Sequence, residues 1–228
     1  MNNKTIKKII RDTMGIEKKQ LQEANIFQAR KYDLPTELLS EKTKGAHQKI
    51  INQYTEDLSR ISIKLDTANR DEANINSSEF RSLKMDEVDN LNAAWLHALY
   101  FQNISDLKSV ITMDSLTFMR IERDFGSFDE WQKDFIACCL SARNGWAVLA
   151  YNSFLGAYQN IIIDLNSTGV PFSASPILVI DCWEHAYYRD YLTDRKAYVY
   201  AMMKEIQWDI IEERVRNAEK IAKIWSRK

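Results

Sequence analysis

Apolar positions recur at helical spacing through most of the first half of the chain, and alternate residue by residue only in a later stretch. Ile6, Ile9, Ile10 and Met14 form one stripe, which predicts a short helix in an N-terminal extension (residues 1–33) that packs on the body. Pro35 interrupts the pattern, and Ser40 is a candidate N-cap for a helix through His47, Ile50, Ile51, Tyr54 and Leu58. The polar stretch from Thr67 to Ser78 reads as a loop. Ser77 or Ser78 then caps a long helix whose face includes Leu91, Ala94, Trp95 and Ala98, with His97 beside it. Two helices joined by one loop predict a helical hairpin (residues 34–105) whose apolar faces meet, with Trp95 as a core aromatic.

The pattern lapses around Asn103–Asp114, which places a boundary before a second domain, residues 106–228. Asp124 to Trp131 reads as a turn followed by a helix running through Phe135 to Leu140. After Gly145 the period becomes two, over Trp146–Tyr151, Tyr158–Leu165 and Ile177–Ile180, with turn residues between the runs. The expected fold class is α+β: an N-terminal helical hairpin, then a C-terminal α/β domain with a small three-stranded antiparallel sheet flanked by helices. Helix resumes near Ala186 and ends in a long charged helix past Trp208.

At 228 residues the chain has ample surface to bury in a core, and its net charge of −1 draws it to neither nucleic acid nor an anionic membrane. No apolar run reaches the roughly 18–20 residues that span a bilayer. The first residues, Met1 to Gly15, lack an apolar signal core, and the odd count of three cysteines is a poor disulfide framework. A reducing, cytoplasmic setting fits best. Cys182 leaves a strand on the side opposite Asp181 and reads as core packing.

The chain has three histidines. One lies in the run Asp181-Cys182-Trp183-Glu184-His185-Ala186-Tyr187-Tyr188, where a carboxylate and an imidazole four positions apart can converge on one ion if the turn is helical. Three imidazoles and one carboxylate, were they to share an ion, would be a borderline-to-hard ligand set. Closed zinc sites favour cysteine, so this set suits a redox-active Fe or Mn better. One added proton per added electron would keep the net charge of such a buried site constant and avoid a desolvation cost of several kcal/mol.

That run resembles the C-terminal metal motif of the iron/manganese superoxide dismutases, Asp-x-Trp-Glu-His-Ala-Tyr. Leu39 to His47 and Asn90 to Phe101 are similar to the family's two other ligand helices. Ile121 to Phe128, Gly145-Trp146 and Pro176 to Leu178 resemble its middle, and Tyr191, Arg195 and Tyr198 follow with its spacing. The resemblance implies one Fe or Mn ion per subunit on His47, His97, Asp181 and His185, and conversion of superoxide to dioxygen and hydrogen peroxide. It further implies Tyr54 as a gateway that delivers protons, Trp146 and Trp183 as pocket walls, and Arg195 as part of the field drawing in the anion. Glu184 is implied to cross a dimer interface to His185 of the partner subunit, with Tyr188 also at that interface, in a homodimer or dimer of dimers.

The chain departs from the family pattern in places. Where the family sets a glutamine near the metal, the candidate positions read Ala93 and Ala142, and Ile51 stands where most members carry a histidine. The missing glutamine favours an alternative reading, a structural or assembly protein that has lost dismutation. Retention of all four ligands argues for the enzyme.

Overall fold

Ser40 and Ser78 each accept a hydrogen bond from the backbone three residues on, and each starts a long helix: α1 over Glu41–Thr67 and α2 over Glu79–Asn103. The computed structural model describes residues 26–28, 30–104 and 109–225. The predicted stripe at Ile6, Ile9, Ile10 and Met14 lies outside the described residues, as does the expected boundary at 105/106. The described end of the extension lies along α1, where Phe27 N–H donates to Ser59 Oγ and Tyr32 N–H to Gln48 Oε1.

The two helices pack as a hairpin, and α1 buries His47, Ile51, Leu58 and Leu65 on one stripe. On α2 the expected face is corrected. Leu91 and Trp95 are 48% and 58% exposed, and Trp95 does not pack between the helices. The buried side instead carries Ala93 and Leu96, and every residue from Leu96 to Phe101 is buried. The reason is that α2 also packs on β3, so its second half is covered on more than one side and shows no single stripe.

A helix that the apolar pattern did not reveal, α3, spans Leu116–Phe125 and buries only Thr117 and Ile121. Gly126, at φ +84°, ends it, and Ser127 caps α4 over Phe128–Ser141. The strands β1 (Gly145–Asn152), β2 (Ala157–Asp164) and β3 (Ala174–Asp181) form one antiparallel sheet in the order β2-β1-β3. Gly145 is required where β1 begins, because a Cβ there would run into the Ile163 carbonyl. The sheet registers Trp146 opposite Asp181, so the start of the central strand and the end of β3 lie side by side.

Beyond β3 the expected helical tail is three helices: α5 (Glu184–Tyr191), α6 (Arg195–Lys204) and α7 (Trp208–Trp225). Leu192, at φ +51°, breaks the first from the second, and Asp194 caps the second. The hairpin is joined to the sheet by Asn103, which donates to Val179 O and accepts from Val179 N–H, both at 3.1 Å. Among the described residues no helix is long and apolar enough to cross a membrane.

Candidate metal centre

Four elements meet at one carboxylate. Asp181 ends β3, His47 lies on α1, His97 on α2 and His185 in the first turn of α5. The Nε2 atoms of His47, His185 and His97 lie 2.9, 3.2 and 3.6 Å from Asp181 Oδ2. Two ligands each about 2.1 Å from one ion, and about 90–120° apart, sit roughly 3.0–3.6 Å from each other. The spacing therefore fits a shared ion. Among the described residues no other group of three or more His, Cys, Asp or Glu side chains converges in this way.

The orientation of each ligand has a local cause. His97 Nδ1–H donates to the Ala93 carbonyl at 2.7 Å, which leaves the lone pair on Nε2, a fully buried nitrogen without a hydrogen-bond partner. Asp181 Oδ1 accepts from Trp183 N–H at 2.9 Å, turning Oδ2 inward. The Tyr198 hydroxyl donates to the Asp181 carbonyl at 2.8 Å and lies 3.0 Å from the Tyr100 hydroxyl.

Burial pushes His97 down to about 3 and lowers His47 as well, so both stay neutral, the form that binds metal. Burial alone would raise Asp181. The charge and hydrogen bond of His185, then those of His47, outweigh it and hold the carboxyl well below its usual range. Burial also presses His185 down, but the Asp181 anion prevails and raises it. The cluster is thus an anion with two neutral imidazoles and one basic one, ready to exchange a proton for a cation.

Trp146 is fully buried, with its ring edge-on to His97 at 4.7 Å, and Trp183 stacks on His185 at 5.8 Å. Phe101 and Tyr100 close the side at His47. Tyr54 is half-buried, 5.5 Å from the His97 ring. Burial raises its phenol, Asn166 works downward, and the Asp181 and Asp89 charges add to the rise.

Asn166 is a residue that sequence reasoning missed. It lies in the turn after β2, is 3% exposed, and accepts the Trp146 indole N–H at 3.2 Å. Its own amide nitrogen donates to Asp89 at 3.1 Å. Ala93 and Ala142, the places first considered for an amide, are both buried and carry none. In the sequence Asn166-Ser167-Thr168-Gly169 reads only as turn punctuation. Ile51 is buried on α1.

The remaining predicted residues lie further out. Glu184 is exposed and Tyr188 is 49% exposed. Both line an open hollow of about 590 Å³ with Lys49, Ile50, Arg189 and His185. Arg195 is half-buried and donates to the carbonyls of Ala142 and Arg143 and to the Tyr187 hydroxyl. Cys182 is buried as expected, and none of the three cysteines forms a disulfide.

Residues 113–214 match the family model for the iron/manganese superoxide dismutase C-terminal domain. The chain is 37% identical over 123 residues to Superoxide dismutase [Mn] 1 of Halobacterium salinarum, covering 54% of this chain and 60% of that protein. It is 38% identical over 114 residues to Superoxide dismutase [Mn] 2 of Haloferax volcanii, 50% of this chain and 56% of that one. These matches leave over a third of each manganese relative's length unspanned. The match to Superoxide dismutase [Fe] of Aquifex aeolicus is longer, 35% identical over 153 residues, 67% of this chain and 71% of that protein. With a shared fold, a converging His and Asp cluster and that extent of identity, the chain belongs to the iron/manganese superoxide dismutase family.

Proposed function

We propose that the protein dismutes superoxide to dioxygen and hydrogen peroxide, using one Fe or Mn ion per subunit held by His47, His97, Asp181 and His185. The observation that carries this reading is the convergence of three imidazole Nε2 atoms on Asp181 Oδ2. When bound, such an ion supplies the one-electron chemistry that these side chains lack.

The chain's own residues would do the rest. His47, His97 and Asp181 are sealed, while the His185 side chain keeps 24% exposure and marks the side open to a small anion. Trp146, Trp183 and Phe101 keep bulk water off the ligands, which strengthens every charge interaction inside. Peroxide formation consumes two protons. Tyr54, half-buried and 5.5 Å from the His97 ring, is placed to hand one over. Arg195 acts by holding the carbonyls after α4 and by adding positive potential.

Exposed Glu184 and Tyr188, beside the only accessible ligand, support a homodimer or dimer of dimers in which Glu184 orients His185 of the partner subunit. Unbridged cysteines and balanced charge support a cytoplasmic protein without nucleic-acid or membrane partners.

The test is elemental analysis of natively purified protein together with superoxide consumption on the same sample. Stoichiometric Fe or Mn with rapid dismutation is expected. Bound metal without dismutation would move the protein to the structural reading.

A further inference from the structure

Asn166 hangs between two partners that each allow a single role. An indole N–H can only donate, so the Asn166 atom 3.2 Å from Trp146 Nε1 must be the carbonyl oxygen. A carboxylate can only accept, so the atom 3.1 Å from Asp89 Oδ2 must be the amide nitrogen. Turning the amide by half a revolution would set N–H against N–H and oxygen against carboxylate at the same time. Asp89 and Trp146 therefore select one orientation of a side chain that is 3% exposed.

Asp89 is itself well held. It sits on α2 eight residues before the ligand His97, half-buried. Its other oxygen accepts the Ser167 hydroxyl at 3.4 Å, so it grips two successive residues of the turn. That turn is closed on itself by paired Asp164 and Thr168. The carboxylate thus fixes both where the turn lies and which way its amide faces.

We infer that Asp89 is a positioning residue of the metal centre. Through Asn166 it holds the Trp146 indole, whose ring lies edge-on to His97 at 4.7 Å. The consequence for turnover rests on the dismutase reading; the orientation of the amide does not.

The experiment compares Asp89→Asn with Asp89→Glu and Asp86→Asn in the full chain. Asp89→Asn keeps the shape but can donate as well as accept, so it no longer selects an orientation. Asp89→Glu keeps an acceptor-only group. Asp86→Asn, one turn away and exposed, makes the same change of net charge as a control. The first readout is the Trp146 indole N–H resonance of the metal-free protein, identified by its loss in Trp146→Phe. It is expected to move or split in Asp89→Asn, to recover in Asp89→Glu, and to stay put in Asp86→Asn. The second is steady-state turnover of the metal-loaded protein, where Asp89→Asn should lower kcat about tenfold with KM unchanged, the low end for outer partners of metal ligands.

An unmoved Trp146 resonance in Asp89→Asn overturns the inference. A moved resonance with unchanged kcat in an active protein removes the link to the site. If the metal-loaded wild type does not dismute at all, the proposed function fails, while the resonance still decides what Asp89 does.

Discussion

His185 Nε2 lies 3.2 Å from Asp181 Oδ2, yet its side chain keeps 24% exposure, so its loss should empty the site without opening the core. His185→Ala is expected to abolish metal retention by elemental analysis while the metal-free protein melts within a few degrees of wild type. Full occupancy in that variant would sink the ligand assignment. His47→Ala should differ, because His47 is fully buried and donates to a buried anion. Removing it leaves Asp181 short of a partner and opens a void. The metal-free variant should therefore be less stable by about 3 kcal/mol in denaturant unfolding, as well as metal-free. Trp146→Phe acts through a third group. The N–H that Asn166 accepts is lost together with part of a fully buried indole, so kcat should drop at least roughly tenfold, the worth of about one hydrogen bond.

Among the elements, α3 is held from a distance. Its first-turn amides, Leu116 N–H and Thr117 N–H, are taken by the Glu212 carboxylate on α7, and Arg120 reaches Glu219 of α7 at 2.6 and 3.1 Å. Glu219 also accepts the Tyr158 hydroxyl of β2, so one carboxylate ties three elements. The hydrogen bond from Arg120 holds Glu219 below its ordinary value. A depressed carboxyl contributes stability above the unfolded value near 4.3, and loses it as pH falls through the lower folded value. Glu219→Gln should therefore cost about 1.5–3 kcal/mol at pH 7, and the gap to wild type should close below about pH 4. A gap of constant size across that range in pH-dependent urea unfolding would argue against the ion pair. The same contacts explain what the sequence hid. The helices α1 and α2 are announced by their serine caps, and the strands by their alternation. The helix α3 has a serine cap too, at Ser115, but it buries only two residues and gives two first-turn amides to a carboxylate 95 and 96 residues away, which no local pattern records. The four converging side chains were legible because a cation site draws on few residue types. Asn166 and Asp89 were not, since a polar residue in a turn and an acid on a half-exposed helix face look alike until the fold sets them 3.1 Å apart, across 77 positions.

At the scale of the whole molecule, the metal centre takes ligands from both halves of the chain, so its geometry depends on how the hairpin is fastened to the sheet. Arg214 of α7 is a main fastening. Its guanidinium donates to Leu99 O at 3.0 Å, to Ile177 O at 2.9 Å and to Asn103 Oδ1 at 3.3 Å. It thus joins the last turn of α2 to β3. Burial presses this guanidinium down to about 10, still charged at neutral pH, and these three contacts are all to neutral oxygens. What supports the cation is the charge of neighbouring Glu213, together with the C-terminal end of α2, where carbonyl dipoles point outward. Arg214→Met keeps the apolar stem and deletes the donors, leaving buried carbonyls of both halves unpaired. Unfolding free energy should fall by about 2–4 kcal/mol. Because Asn103 and Leu99 lie on the same helix as His97, the looser joint should also weaken ion binding, though no ligand has been touched. Calorimetry of the metal-free variant, paired with a competition titration of its metal affinity, separates the two effects. Lower stability with unchanged affinity would mean that the four ligands are placed by their own elements alone, and that the fastening serves only the fold.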